Sequence, residues 1–145
     1  MITIIQRVSQ AQVNIAGTEV GKIERGIMAL VAVEKLDTEK SAQRLLERIL
    51  NYRIFPDAEG RMNLNLQAIE GGLLLIPQFT LAADTNSGNR PSFTAAATPE
   101  HGKAIFNYFV EHAKSNYHSI ALGQFGADMQ VSLTNDGPVT FTLKV

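Results

Sequence analysis

The sequence predicts an α+β fold, with mainly antiparallel strands forming a barrel-like or two-sheet core and two principal helices packed outside. Three observations carry this reading. Apolar and polar residues alternate strictly through the last part of the chain, which is the period of a half-buried strand. Two segments repeat their apolar residues at helical spacing, and each opens on a residue able to cap a helix. Strand and helix segments otherwise follow one another without an obvious βαβ rhythm, which argues against a purely parallel sheet.

Along the chain, Ile2 to Ile15 and Val20 to Ile23 read as strands around the turn Ala16-Gly17-Thr18-Glu19. Ile27 to Val33 follows Gly26 as an unbroken apolar run, so it is expected to be buried on both faces and central in the sheet. The first helix is capped by Asp37 or Thr38. It buries Ala42, Leu45, Leu46, Ile49 and Leu50, with Arg44, Glu47 and Arg48 pointing outward. Asp57-Ala58-Glu59-Gly60 reads as a turn. The run Leu73-Leu74-Leu75-Ile76 is a strand that must lie at an edge or break at Pro77, because proline has no N–H for the ladder. A second helix opens on Thr98 with Pro99 in its first turn, and Ile105, Tyr108, Phe109 and His112 form its expected apolar stripe. At the end of the chain, Met129, Val131 and Leu133, then Val139, Phe141, Leu143 and Val145, alternate with polar residues on either side of Asn135-Asp136-Gly137-Pro138. These four residue types suit a turn, so two paired strands are expected there.

Composition narrows the function. A chain of 145 residues fits one domain over 1–145, large enough to bury roughly 68–70% of the surface its unfolded form exposes. The absence of cysteine excludes disulfides, thiolate nucleophiles and cysteine-based zinc sites. No segment reads as a secretory leader or as a span of about 18 apolar residues, so a cytoplasmic location is the expectation. A net charge of -1 and a pI near 6.3 do not suit a protein that wraps nucleic acid. Any RNA contact must therefore be local, for example through Arg90 in the loop Asp84 to Pro91, where a solvated loop arginine is the plainer alternative. His101, His112 and His118 have no metal-ligand spacing, and there is no Walker-type or GxGxxG glycine loop, so neither a metal nor a cofactor is expected.

Two segments remain to carry chemistry. Pro77-Gln78-Phe79-Thr80-Leu81 places backbone amides and a hydroxyl just past a broken strand, where Gln78, Phe79 and Thr80 are candidates to face a ligand as an oxyanion hole. The alternative is that Phe79 is core and Thr80 an ordinary strand residue. Gly137-Pro138 joins the residue without a side chain to the residue that most readily takes a cis peptide bond. A site lined by backbone suits an enzyme that must judge the shape around a Cα without judging the side chain attached to it. The plain reading of the same residues is a turn.

Both segments resemble the signatures of the D-aminoacyl-tRNA deacylases, a family with a Ser-Gln-x-Thr motif and an Asn-x-Gly-Pro motif. Here these stand as Pro77-Gln78-Phe79-Thr80 and Asn135-Asp136-Gly137-Pro138. The resemblance extends in order through Gln6-Arg7-Val8, Tyr52-Arg53-Ile54-Phe55, Met62-Asn63-Leu64-Asn65, Arg90-Pro91-Ser92-Phe93 and Asp128-Met129-Gln130-Val131, nearly the whole chain. It implies hydrolysis of the ester of D-aminoacyl-tRNA and of glycyl-tRNA by a homodimer. In that arrangement a cis Gly137-Pro138 from one subunit enters the partner's site and rejects L-amino acids. It implies further that Gln78, Phe79 and Thr80 act on the ester, that Phe125 and Met129 hold the terminal adenosine of the tRNA 3' end, and that Arg7 braces the Gly-Pro turn. For Phe125 and Met129 core packing is the competing reading, and for Arg7 a solvated or structural role. Pro77 departs from the family serine and removes a hydroxyl and an N–H. Two other classes therefore stay open: a hydrolase of small amino esters that does not act on tRNA, and a binding homologue weakened in catalysis by Pro77.

Overall fold

The computed structural model describes residues 1–145. Its main sheet is built on β1 (Ile2–Ile15), whose first half pairs antiparallel with β3 (Gly26–Ala32) and whose second half pairs with β2 (Thr18–Ile23). The other edge of β1 pairs along its length with β8 (Gln130–Lys144). Beyond β3 the sheet continues through β6 (Gly72–Pro77) to β7 (Ile120–Leu122), and both of these pairings are parallel. The short strands β4 (Phe55–Pro56) and β5 (Met62–Leu64) form a separate hairpin. β3 is central, as its unbroken apolar run predicts.

The α+β class holds and antiparallel pairing predominates, but the two parallel pairs run against the expected lack of βαβ units. Helix α1 (Glu39–Asn51) lies between β3 and β6, and α2 (Pro99–Asn116) between β6 and β7. Each helix thus serves as a crossover of the kind parallel neighbours require. The rhythm is hard to see in the sequence because the β4–β5 hairpin and a long connection from residue 83 to 98 are interposed.

The sheet curls until β2 comes against β7. A Cβ on Gly21 would stand 2.6 Å from the Leu122 carbonyl oxygen, so only glycine permits this approach. Curling creates two cores. On the convex side, α1 and α2 pack over Ile27, Ala29, Val31, Leu73 and Leu75. Inside the curl, Val8, Ala11, Val13, Met28, Leu74 and Ile76 pack on one another. Successive residues of β3 and β6 therefore serve opposite cores, which is why both strands read as apolar runs.

Both helices start where the sequence places them. Thr38 caps α1 and its N–H donates to Ser41 Oγ at 3.2 Å, while the buried Asp37 accepts from the Glu34 N–H at 2.7 Å. In α2 the His101 N–H donates to Thr98 Oγ1 at 3.3 Å. The α2 stripe differs from expectation: Ile105, Phe106, Phe109, Val110 and Ala113 are buried, whereas Tyr108 and His112 are only half-buried at its flank. Tyr108 instead accepts a hydrogen bond from Gln43 of α1 at 2.5 Å through its hydroxyl. A tyrosine or histidine with a polar tip suits that boundary, and phenylalanine and valine suit the centre.

Candidate active site

β6 ends at Pro77, which lies beside Val31 of β3. The last rung is the Gln78 N–H, which donates to the Val31 carbonyl at 2.7 Å. The chain then turns through one turn of 3-10 helix, Phe79–Ala82, closed by Leu81 N–H to Gln78 carbonyl at 3.2 Å and Ala83 N–H to Thr80 carbonyl at 3.1 Å. The amides that open such a turn have no partner within it. Those of Phe79 and Thr80 donate to nothing in the chain. The expectation of three ligand-facing amides is thus corrected to two, because the Gln78 amide is committed to β3. Gln78 contributes through its side chain, whose Nε2 donates to Thr80 Oγ1 at 2.5 Å. Thr80 is exposed in the 3-10 turn, not in a strand, and no histidine or carboxylate is hydrogen-bonded to its hydroxyl.

Beside this turn lies a cleft of about 240 Å³, lined among others by Val31, Val33, Pro77, Gln78, Phe79 and Phe125. Phe125 belongs to the segment after β7. Its Cζ lies 3.5 Å from the point a Cβ on Gly102 would occupy, and its ring centroid is 6.2 Å from that of Phe106. α2 and the Phe125 segment together form one wall. At the mouth, Phe79 is 58% exposed and its ring lies 5.2 Å from that of Phe93, itself 41% exposed. Met129, expected beside Phe125, does not line this cleft. It packs on the inner core, and its Sδ accepts the Gln124 N–H at 3.3 Å.

The second segment departs from the expected hairpin. β8 is one continuous strand, and both of its halves pair with β1: Thr140 to Lys144 with Gln6 to Ile2, and Gln130 to Thr134 with Asn14 to Gln10. Between these ladders β8 has five residues, 135 to 139, where β1 has three, 7 to 9, so Asn135-Asp136-Gly137-Pro138 forms a bulge. Pro138 has no N–H to lose from the ladder. Gly137 has φ +135°, a conformation that L residues rarely adopt, and the Gly137–Pro138 peptide is cis. Both residues are exposed.

Arg7 and Asn135 brace the bulge. Arg7 donates from Nε to the Asp136 carbonyl at 2.9 Å and from Nη1 to the Ile54 carbonyl at 2.7 Å. Its Nε also lies 3.2 Å from Asp136 Oδ2, and only 12% of its side chain is exposed. Asn135 spans the bulge, accepting the Val139 N–H on Oδ1 at 3.0 Å and donating from Nδ2 to Thr140 Oγ1 at 2.9 Å. The sequence alone assigns neither Asn135 nor Thr140 a role in the site. The motif asparagine was a signal for the first, but its use depends on Val139 and Thr140 lying across a bulge and not across a turn. Within one chain no hydrogen bond joins Gln78–Thr80 to Gly137–Pro138.

The model of the D-Tyr-tRNA(Tyr) deacylase family matches residues 4–144 of this chain. A D-aminoacyl-tRNA deacylase from Janthinobacterium sp. (strain Marseille) is 58% identical, with 100% of this chain and 97% of the relative covered. A protein of the same name from Pseudoalteromonas atlantica is 55% identical over the full length of both. Among solved structures, the c-Myc DNA Unwinding Element Binding Protein superposes with a TM-score of 0.96 at 35% identity, covering 100% of this chain and 99% of that one. A probable eukaryotic D-amino acid tRNA deacylase shares the fold with a TM-score of 0.85 at 17% identity, covering 99% and 98%.

Proposed function

The chain belongs to the D-Tyr-tRNA(Tyr) deacylase family and is a hydrolase of that class, and we propose that it cleaves the ester between a D-amino acid and tRNA in the cytoplasm. The observation that carries this reading is the pair of open amides, Phe79 and Thr80, at the mouth of an apolar cleft of nucleoside size. Such a cleft takes the terminal adenosine, with Phe125 and Phe79 offering aromatic surface to the base. The ester carbonyl then lies over the 3-10 turn, where the two amides stabilise the oxyanion. In a preorganised site each donor of this kind is worth about 2.7–4 kcal/mol.

Water adds its oxygen to the carbonyl carbon, the bond to the ribose oxygen breaks, and that oxygen leaves with a proton as the tRNA hydroxyl. The amino acid departs as the free carboxylate. The vicinal ribose hydroxyl is the proton carrier nearest the ester. Thr80, held by Gln78 and without a base, supports this arrangement and is not the nucleophile.

Gly137 and Pro138 act in trans, from the partner subunit of a homodimer. Their carbonyls face the substrate Cα, so an L side chain meets backbone while a D side chain points toward solvent. A sensor made of backbone is indifferent to side-chain identity and has nothing to exclude in glycine. The protein is therefore expected to cleave D-tyrosyl-tRNA and glycyl-tRNA and to spare L-tyrosyl-tRNA and free D-tyrosine methyl ester. Survival of glycyl-tRNA to the same extent as L-tyrosyl-tRNA removes the steric account of chirality. Cleavage of the methyl ester identifies a small-ester hydrolase, and binding of D-tyrosyl-tRNA without turnover identifies a binding homologue.

A further inference from the structure

Pro77 does more than line the cleft, because of where it stands in the ladder between β6 and β7. The two strands run parallel with Leu75 beside Leu122. Their flanking rungs are the Leu73 N–H to the Ser119 carbonyl at 2.9 Å and the Gly123 N–H to the Leu75 carbonyl at 2.8 Å. In an evenly spaced parallel ladder the next rung runs from the amide of residue 77 to the carbonyl of Gly123. Proline cannot supply it, and the Gly123 carbonyl accepts no hydrogen bond from elsewhere in the chain. The proline ring fills the gap instead, with Cδ 3.4 Å from where a Cβ on Gly123 would stand.

β7 ends one residue earlier, at Leu122, and the segment from Gly123 to Met129 leaves the sheet carrying Phe125 to the cleft wall. Beyond Gly123 the amide bonds of this segment are internal: Gln124 N–H to Met129 Sδ and Ala127 N–H to the Gln124 carbonyl, both at 3.3 Å. The Phe125 ring is thus located by packing on Gly102 and Phe106, not by the sheet.

We propose that Pro77 is a positioning residue for nucleoside binding: by withholding one rung of the β6–β7 ladder, it uncouples the Phe125 wall from the sheet and sets how tightly the cleft closes on its ligand. This rests on the function proposed above, in which the cleft holds the terminal nucleoside. Gly123 is held to β6 by its N–H alone; returning an amide at position 77 adds a second bond through its carbonyl, at the point where the Phe125 segment leaves the sheet, and reduces the ordering that binding must supply.

Two variants test it. Pro77→Ala returns the N–H alone, and Pro77→Ser returns the N–H with a hydroxyl. Both are expected to slow hydrogen exchange of amides in the Gly123–Met129 segment and to lower the KM for D-tyrosyl-tRNA by about threefold to tenfold, the worth of one pre-ordered side chain, with little change in kcat. The alanine and serine variants should agree. Unchanged exchange and KM in both variants overturn the proposal, as does a change confined to serine, which assigns the effect to the hydroxyl. A shift in kcat alone also overturns it. If the unmodified protein turns over no D-aminoacyl-tRNA, the functional reading fails. The exchange comparison still decides whether Pro77 uncouples the Phe125 segment.

Discussion

Gln78–Thr80 is held by the sheet, whereas Asn135–Pro138 is held by side chains that reach it from β1 and from within β8. In the first segment a ladder bond to Val31 and the closing bonds of a 3-10 turn fix the backbone, and the Gln78–Thr80 contact is its only side-chain hydrogen bond. In the second, the ladder is interrupted, and Arg7 and Asn135 replace it. The difference shows how one chain presents backbone groups outward in two ways. Ending a strand leaves the Phe79 and Thr80 amides open, and bulging a strand leaves Gly137 and Pro138 exposed. The second segment is therefore expected to be open to disruption by point substitution, and the first to keep its shape under most changes of side chain.

The largest effect is expected for Gly137→Ala. Its Cβ would lie 2.7 Å from Val139 Cγ2 and 3.0 Å from Arg7 Nη2, at a φ of +135° that alanine does not favour. D-tyrosyl-tRNA turnover should fall by more than about 100-fold, the scale of an ångström-level misplacement, and the D-to-L rate ratio should narrow. An unchanged ratio would separate the bulge from stereoselection.

Thr80→Ala probes the other side of the comparison. With the amides in place it should lose less than about 100-fold in rate, short of what removal of an essential nucleophile costs. Near-complete loss with substrate binding intact would make Thr80 the nucleophile. Asn135→Ala leaves the Val139 N–H unpaired, and urea unfolding should show a loss of about 1–3 kcal/mol. An equal loss from Gln78→Ala would erase the distinction between the two segments.

The smallest effect is local and acidic. The Asn63 side chain and then the Arg61 N–H donate to Asp57 and hold its carboxyl below the ordinary 3.8 in the β4–β5 hairpin, which starts next to the Ile54 carbonyl that anchors Arg7. A depressed folded-state pKa gives stability that is present above the unfolded value and lost as pH falls through the folded one. Below pH 3.8, hydrogen exchange should loosen residues 55–64 before it loosens Phe79–Ala82. The reverse order would contradict this account.

Much of this architecture can be read directly from the residues. Leucine and isoleucine runs mark strands buried on both faces, and Thr38 and Thr98-Pro99 mark where helices start. The bulge cannot be read in that way, because Asn, Asp, Gly and Pro favour a change of direction whether the chain then reverses or resumes. The outcome depends on a partner strand more than a hundred residues away. The same holds for Arg7, whose acceptors at 54 and 136 are distant in sequence. Met129 alternates correctly as a strand residue, but which core the strand faces is decided by the curl of the sheet. The fate of the Gln78 amide depends likewise on Val31 being its neighbour.

The bulge also governs which changes in chain length the protein can absorb. Toward the C-terminus of β8 the odd-numbered residues Phe141 and Leu143 join the helix-side core, while beyond the bulge the odd-numbered Leu133 packs inside the curl. β1 changes over at the same place, from Ile5 to Ala11 and Val13. Losing one codon between residues 135 and 139 would turn one half of β8 over, with its apolar residues toward solvent. In the loop 85–91, whose ends are already clasped by the paired backbones of Asp84 and Ser92, the same deletion leaves the sheet untouched. Within one short chain, reading-frame-preserving deletions should thus be lethal to folding in one protrusion and silent for folding in the other.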